Sequence, residues 1–515
     1  MAAPSASAAN ALTKRKRDER KVVLLHSSHH SNLTYSTMKH IHKDRDLLLS
    51  SLLYCCGFIR DTPAFFMVLR PKVATRMHLE AFHTADFLDL LEYPKENHNQ
   101  NITIGETQRR NGYDHHGAGL SDAAYINLLD AYGLTDDCPI PVDRSERAQL
   151  WNYCKSVAGA SLHAAHLLIE NKADVAINWS GGRHHAHADK AGGFCYINDA
   201  VLAIKKLIAA ENKVLYLDID IHHADGVQAA FYDTNEVMTI SLHRHSPGFF
   251  PSKTGSIKEK GKHVTKGVGY NLNIPMPRGC KDADLLEMVS LVLSQIVPEY
   301  NPDVLVLCVG ADGLKGDDLV KETNEGWNLS PEGLAECVRR VSSFCGDISY
   351  QTGKRCDGLR KRKLIVLGGG GYNPPNTAKT FLLCTAAACE SSRPGMLWKM
   401  LPKDIPRHDH FERYGPSFEL MKNCMDGPYY DPQPSNCIDM NYLIVLQDAR
   451  KAMNLAKVFL SNNKALKANP HTTVEGMFSN IEDDFQWGYS DNFDSQKKSS
   501  ITTMHKGVGS RRRRK

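Results

Sequence analysis

The 515-residue sequence lacks the features that would assign it to several common protein classes. Its 14 cysteines form no Cys-x-x-Cys pair, and several, including Cys195 and Cys308, lie within apolar runs, which is typical of a reduced intracellular protein. No stretch of about 18 apolar residues occurs and the N-terminus is polar, so neither a membrane span nor a secretion signal is predicted. Neither Gly-x-x-x-x-Gly-Lys-Ser/Thr nor Gly-x-Gly-x-x-Gly is present, which argues against a nucleotide site.

Positive charge is concentrated near the two ends of the chain. The formal net charge is +5, whereas Lys14–Lys21 contributes +4 and Arg511–Lys515 contributes +5, so the remainder is negative by 4. A basic nucleic-acid-binding domain is therefore not indicated. The two runs have the composition of nuclear-import signals or of solubilising tails. We expect a nuclear location, with the cytoplasm as an additional one.

The composition along the chain predicts one folded domain between two tails. Residues 1–20 and 461–515 are poor in apolar residues and are predicted to be disordered, the first basic and the second ending in the arginine run. The domain is expected to span 21–460. Within it, polar stretches near 97–119 and 345–363 are predicted to be surface insertions.

Short apolar runs alternate with helical patterns within this domain. Residues 199–210 place their apolar side chains along one helical stripe, as expected for a helix that covers a sheet. Near-continuous apolar strands separated by helices predict an α/β fold with a parallel sheet that has helices on both faces. The predicted strands include 175–179, 214–221, 237–242, 304–309 and 364–367.

The segment 216–226 concentrates acidic and imidazole side chains at the end of a predicted strand. Asp218 and Asp220 lie two residues apart and so leave the same face of the strand. Buried carboxylates must pair, take up a proton or bind a cation, because an isolated charge is costly to desolvate. His222 and Asp225 follow directly, at spacings found among metal ligands.

Reactive side chains also follow three other predicted strands. His184 and His185 come after 175–179, Asp312 after 304–309 and Tyr372, behind four glycines, after 364–367. Because the carboxyl ends of parallel strands meet at one edge of the sheet, these residues are expected to form one site.

An Asp/His/Asp set suits a catalytic Zn²⁺ with a vacant position, and Fe²⁺, Mn²⁺ or Co²⁺ remain alternatives. Such a metal activates water for hydrolysis. The histidine pair could then supply a general base and an electrostatic partner, each oriented by a carboxylate such as Asp218 or Asp225, and Tyr372 could stabilise an oxyanion.

The quoted residues resemble the zinc-dependent class I histone deacetylases in both order and spacing. The resemblance covers about residues 45–440 and rests on WSGGRHHAHADKAGGFCYINDA, YLDIDIHHADGVQAAF, SPGFFP, GADGLKGD and LGGGGYN. It implies the arginase/deacetylase fold, with a central eight-stranded parallel sheet. The implied activity is removal of acetyl groups from Nε-acetyl-lysine of histone tails or other chromatin proteins.

The resemblance also implies a role for each site residue. Asp220, His222 and Asp312 would hold the Zn²⁺. The catalytic residues would be His185 as general base and acid, His184 paired with Asp218, Asp225 as the orienting group of His185, and Tyr372 as oxyanion donor. Asp137 would grip the substrate backbone, and Gly193, Phe194 and Phe250 would line the lysine channel.

Structural K⁺ ions are a further implication of the resemblance. The inner ion would be bound by Asp218, Asp220, His222, Ser241 and Leu242, and the outer ion by Phe231, Thr234, Val237 and Tyr270.

Two departures from the family pattern concern partners. Asp318 and Pro375 replace arginines that contact inositol phosphate in corepressor-bound members, which favours the subgroup that works without a large complex. Chromatin-complex subunits remain possible partners.

Two alternatives stay open at the level of sequence. One is a polyamine deacetylase or an arginase-type hydrolase, and the arginase type would require two bridged metals. The other is a catalytically silent scaffold that recruits chromatin partners.

Overall fold

The computed structural model describes residues 20–59, 66–92, 122–262, 265–321, 325–346, 361–390, 392, 397–421 and 440–468. The predicted insertion at 97–119, the centre of the one at 345–363 and nearly all of both predicted tails lie outside these ranges. By its internal packing the chain divides into two units, Met1–Leu460 and Ser461–Lys515. Of the second unit, only 461–468 is described, as the end of a helix.

The described residues form one eight-stranded sheet in which every neighbouring pair is parallel. Its strand order is β2-β1-β3-β8-β7-β4-β5-β6. The strands are β1 (Val22–Leu25), β2 (Phe66–Leu69), β3 (Val175–Asn178), β4 (Val214–Asp218), β5 (Val237–Arg244), β6 (Asn271–Met276), β7 (Val304–Cys308) and β8 (Lys363–Leu367).

Helices separate most of the strands along the chain. The helices are α1 (Ser28–Met38), α2 (Arg45–Cys55), α3 (Arg76–Leu79), α4 (Ala85–Leu91), α5 (Asp122–Ala131), α6 (Arg144–Ile169), α7 (Asp199–Ala209), α8 (Asp225–Phe231), α9 (Asp282–Leu291), α10 (Val297–Tyr300), α11 (Pro331–Cys345), α12 (Pro374–Ala388) and α13 (Met440–Ala468). A π-helical turn at Val292–Ile296 joins α9 to α10, and short 3₁₀ turns occur at Trp398–Met400 and Phe411–Tyr414. No helix of the described residues is long and apolar enough to cross a membrane.

Both faces of the sheet are buried, which explains the near-continuous apolar strands. In β4, Leu215 and Leu217 enter a core with α9, α11 and α12, whereas Val214 and Tyr216 enter a second core with α6 and α7. Alternating side chains of a strand point to opposite faces, so a sheet covered on both sides needs apolar residues at every position. The predicted α/β architecture is confirmed.

The sheet order brings the four reactive strand ends together. β3, β8, β7 and β4 are consecutive in the sheet although they are far apart in sequence. Their carboxyl ends therefore form one continuous edge, where sites form in parallel sheets.

β4 ends earlier than its apolar pattern indicates. The ladder stops at Asp218, whose Oδ1 accepts the backbone N–H of Asp220 at 2.9 Å. Asp220 Oδ1 in turn accepts the N–H of His222 at 2.9 Å. These side-chain bonds replace the strand ladder with turns. Asp220 therefore lies in the loop after β4 and not on the strand.

Candidate active site

Three predicted metal ligands converge at this edge of the sheet. The ligand atoms of Asp220, His222 and Asp312 lie within 4.8 Å of one another, and all three residues are buried. His222 Nδ1 lies 2.9 Å from Asp312 Oδ2 and 3.2 Å from Asp220 Oδ1. Residues from the ends of β4 and β7 are thus placed around one point.

The electrostatics of this cluster fit a bound cation. Burial, together with the neighbouring Asp220 carboxylate, raises the pKa of Asp312 to about 7. Burial lowers the pKa of His222, but its hydrogen bonds to Asp220 and Asp312 outweigh this and raise it to about 10. The two buried carboxylates therefore repel each other, and a divalent cation would relieve this repulsion. The two carboxylate oxygens and the imidazole nitrogen are suitable ligands for such a cation. The residues present therefore fit the predicted metal.

His184 is paired with the buried aspartate that ends β4. Its Nδ1 lies 2.8 Å from Asp218 Oδ2, and the Tyr216 hydroxyl donates to the same carboxylate oxygen. Burial lowers the pKa of His184, but the Asp218 charge raises it more, to about 9. The imidazole is therefore protonated at neutral pH.

His185 shares a carboxylate with a second histidine. Asp225 Oδ1 lies 2.7 Å from His185 Nδ1, and its Oδ2 lies 3.3 Å from His187 Nε2. Burial and the neighbouring His184 lower the pKa of His185 to about 4, despite Asp225. The pKa values of the two adjacent imidazoles are thus shifted in opposite directions, so that His185 is neutral at pH 7 and His184 is protonated.

Tyr372 follows a run of glycines that passes close to the metal-ligand carboxylates. A Cβ at Gly369 would lie 2.7 Å from Asp220 Oδ2, and a Cβ at Gly370 would collide with Asp312. Asp220 Oδ2 accepts the N–H of Gly370 at 2.7 Å. Burial and the nearby carboxylates raise the pKa of Tyr372 well above its ordinary value, so the phenol keeps its proton.

The aromatic residues predicted to line a channel lie beside His185 and Tyr372. The rings of Phe250 and His185 are 4.9 Å apart, and those of Phe194 and Tyr372 are 5.8 Å apart. A Cβ at Gly193 would collide with the ring of His185, and the φ of Gly193 is 54°. Only glycine brings the backbone this close without strain.

Asp137 contacts the backbone next to Phe194. Its Oδ2 accepts the N–H of Gly193 at 2.7 Å, while the residue remains half-buried. The carboxylate thus supports the backbone that carries Phe194.

Of the positions predicted for K⁺ ligands, the inner set lies near this edge, whereas the outer set lies toward the amino ends of β5 and β6. Ser241 is the register partner of Asp218 in the β4–β5 ladder, and Leu242 follows it. Of the outer set, Phe231 ends α8, Thr234 lies in the following loop, Val237 begins β5 and Tyr270 precedes β6.

A second group with ligand-type atoms lies nearby. His184, Asp218 and Cys308 bring one donor each within 4.8 Å. However, the two polar groups already bond to each other, and Cys308 Sγ donates to Gly368 O at 3.0 Å. Burial raises the pKa of this thiol well above its ordinary value, so it is a poor metal ligand.

Several site residues were not identified from the sequence. Arg45 Nη1, at the start of α2, donates to Gly369 O at 3.2 Å and Gly371 O at 3.0 Å. The ring of Phe249 stacks on His222 at 5.2 Å. Arg183 is buried beside His42, with 3.3 Å between Nη1 and Nε2. Phe249 lies within the quoted SPGFFP motif, whereas nothing near Arg45 in the sequence indicates its contact with a loop 324 residues away.

Comparison with known proteins assigns the chain to a family. The family model described as histone deacetylase domain matches residues 40–388. A Xenopus tropicalis protein named histone deacetylase 8 is 33% identical over 398 residues, which cover 77% of this chain and 90% of that protein.

Other relatives agree with this assignment. Histone deacetylase 8 of Xenopus laevis is 36% identical over 353 residues, covering 68% of this chain and 90% of that protein. Histone deacetylase 9 of Arabidopsis thaliana is 35% identical over 353 residues, covering 68% of each chain. The predicted arginase/deacetylase fold and class are thereby confirmed. The chain is a deacetylase enzyme that belongs to the histone deacetylase family.

Proposed function

We propose that the protein is a zinc-dependent hydrolase that removes acetyl groups from Nε-acetyl-lysine of histones or other chromatin proteins. The observation that carries this proposal is the meeting of three elements at one sheet edge. These are the Asp220, His222 and Asp312 cluster, the His185–Asp225 pair and the buried phenol of Tyr372. Nucleophile activation, proton transfer and oxyanion stabilisation require groups of these types.

His185 acts as the general base and then as the general acid. Because Asp225 engages Nδ1, Nε2 is the nitrogen that exchanges a proton with water and with the leaving amine. Its lowered pKa keeps the imidazole neutral and ready to accept a proton. Asp225 fixes the tautomer and stabilises the positive charge that forms on the ring.

His184 and Tyr372 stabilise negative charge. The His184 imidazolium is held by Asp218, and its positive charge favours anionic species nearby. Tyr372 retains its proton and donates a hydrogen bond to the developing oxyanion.

Asp220, His222 and Asp312 would hold the metal. When bound, a divalent cation supplies a Lewis acid that polarises an amide carbonyl and acidifies water. Zn²⁺ suits a three-ligand site with an open position, and Fe²⁺ is an alternative because two donors are oxygens.

The channel residues select a neutral lysine derivative. Phe194 and Phe250 offer apolar walls to the four-carbon stem, and a charged ammonium would be costly to desolvate there. Asp137 grips the substrate backbone with the carboxylate oxygen that Gly193 does not use. Structural K⁺ ions bind at the inner and outer sets of positions predicted above.

The same chemistry suggests the context in which the enzyme acts. Asp318 forms ion pairs with Lys43 at 2.7 Å and Lys321 at 3.0 Å. Asp318 stands where an arginine would contact inositol phosphate, so this contact is missing, which supports a subgroup that needs no large complex. The basic runs at 14–21 and 511–515 direct the enzyme to the nucleus, with a cytoplasmic fraction. Chromatin-complex subunits are further candidate partners.

Turnover of acetyl-lysine histone peptides tests the proposal. Tyr372→Phe should lower kcat roughly 100-fold to 1000-fold, the cost of an oxyanion donor. Tyr35→Phe, a half-exposed tyrosine on α1, is the matched control and should leave kcat unchanged. A chelator should abolish activity and Zn²⁺ should restore it. Near-normal turnover by Tyr372→Phe, or two tightly held divalent ions per chain, would overturn the assignment.

A further inference from the structure

The loop after β7 carries two adjacent aspartates with different surroundings. Asp317 is buried, with 2% of its surface exposed, whereas Asp318 is part-exposed and pairs with two lysines. Asp317 Oδ2 accepts the backbone N–H of Tyr372 at 2.8 Å and that of Asn373 at 3.2 Å. Its Oδ1 accepts the N–H of Leu319 at 3.0 Å.

The glycine run before Tyr372 makes this contact consequential. Residues 368–371 have no side chains that could fix the loop, and glycine has the widest backbone freedom of all residues. Side chains are excluded here, because an added Cβ would meet a metal-ligand carboxylate at Gly369 and Gly370, the backbone of Trp179 at Gly368 and the side chain of Thr377 at Gly371. The position of the phenol must therefore be fixed by hydrogen bonds from outside the loop.

Side chains from outside the loop provide such bonds. Asp220 accepts from Gly370 N, Arg45 donates to the carbonyls of Gly369 and Gly371, and Cys308 Sγ donates to the carbonyl of Gly368. Among the hydrogen bonds of the described residues, the bond from Tyr372 N to Asp317 is the one that reaches the N–H of the tyrosine itself. The same carboxylate lies at the N-terminus of α12, where helix N–H groups favour negative charge.

We propose that Asp317 is a positioning residue for Tyr372, which fixes the peptide at the end of the glycine loop and so the placement of the phenol. The inference rests on the proposed role of Tyr372 as oxyanion donor. Asp317 touches no reacting atom, so its loss should affect the transition state more than substrate binding. A displacement of a catalytic group by about 1 Å can cost about 100-fold in rate.

Graded substitutions at Asp317 test this role. Asp317→Ala removes all three acceptor contacts and should lower kcat about 30-fold to 100-fold, with KM within about twofold. Asp317→Asn keeps one acceptor oxygen, so its kcat should lie between those of the wild type and Asp317→Ala. Asp318→Asn removes a neighbouring carboxylate that makes surface ion pairs and should leave kcat within about twofold.

A double variant that combines Asp317→Asn with Tyr372→Phe distinguishes positioning of the phenol from a general loss of stability. If Asp317 acts through the phenol, Asp317→Asn should cost less than about twofold once the hydroxyl is absent. If Asp317→Asn lowers kcat by the same factor in the wild type and in Tyr372→Phe, the inference is overturned. A KM increase with unchanged kcat would also overturn it. The Asn variant also serves if Asp317→Ala does not fold.

The NMR shift of the Tyr372 Cζ carbon gives a readout without turnover. We expect it to move in Asp317→Asn and to stay in place in Asp318→Asn. An unmoved resonance in both variants would refute positioning. If the wild type fails to hydrolyse acetyl-lysine while the shift still moves, the proposed function fails but the positioning of Tyr372 stands.

Discussion

Replacement of Asp225 by Asn should separate proton transfer from metal binding. The carboxylate bonds to His185 Nδ1 at 2.7 Å and to His187 Nε2 at 3.3 Å. Burial raises the pKa of Asp225, but its bonds to the two histidines outweigh this and hold it well below the ordinary value, so the group is ionised. An asparagine of the same size removes the charge and can present an N–H to His185, which moves the ring proton to Nε2 and blocks the base.

The magnitude follows from the two losses. A wrong tautomer of a catalytic histidine costs about 10⁴ in kcat in the best-studied hydrolases. A flip of the amide that presents its oxygen would preserve the tautomer and lose only the charge, which amounts to about 1.5–3 kcal/mol for a charged hydrogen bond, or roughly 10-fold to 100-fold in rate. We therefore expect kcat to fall by roughly 10-fold to 10⁴-fold, toward the upper end if the asparagine donates to His185.

Metal content is the second measurement for this variant. Asp225 is not among the three converging ligands, so the metal bound per chain should equal that of the wild type. Asp189→Asn, which removes an exposed carboxylate four residues after His185, is the matched control and should remain fully active. Turnover within fivefold of the wild type, or loss of metal in step with activity, would refute the reasoning.

Two further predictions concern packing and pH. Gly193→Ala should lower kcat at least 10-fold, because its Cβ would collide with His185 and its φ is positive. Gly192→Ala is the control and should be tolerated, because an added Cβ there meets no atom within 4 Å. Equal activity of the two variants would contradict this prediction. Burial lowers the pKa of His83 to about 4, and its Nε2 accepts the N–H of Asn198 at 3.0 Å. Because the folded pKa lies below the unfolded value of about 6.5, its contribution to stability is present above pH 6.5 and is lost as pH falls toward 4, by about 3 kcal/mol. The free energy of unfolding, measured with urea, should therefore fall more between pH 7 and pH 4.5 for the wild type than for His83→Gln. Parallel pH profiles of the two proteins would count against this.

The sequence predicted the strands of the site well because their signals are local. The runs 175–179, 304–309 and 364–367 correspond to β3, β7 and β8 within a residue at each end. The apolar pattern predicts a strand over 214–221, which is three residues longer than β4 at the C-terminal end. The apolar alternation continues through Ile221, but the Asp218 side chain takes the N–H of Asp220 and ends the ladder. Competition between a side-chain acceptor and the ladder is not visible in a hydrophobicity pattern.

The sequence by itself determined which chemical groups stand at the strand ends and, through family resemblance, what each would do. Strand periodicity and turn residues act over a few positions, so the placement of His222, Asp312 and Tyr372 after buried strands could be read directly. Only the tertiary structure decided the sheet order that makes β3, β8, β7 and β4 neighbours. That order brings Asp317 to the N–H of Tyr372, and the packing of α2 against α12 brings Arg45 to the glycine loop. Such contacts join residues tens to hundreds of positions apart, and their specificity comes from packing of the whole sheet, which no local pattern encodes.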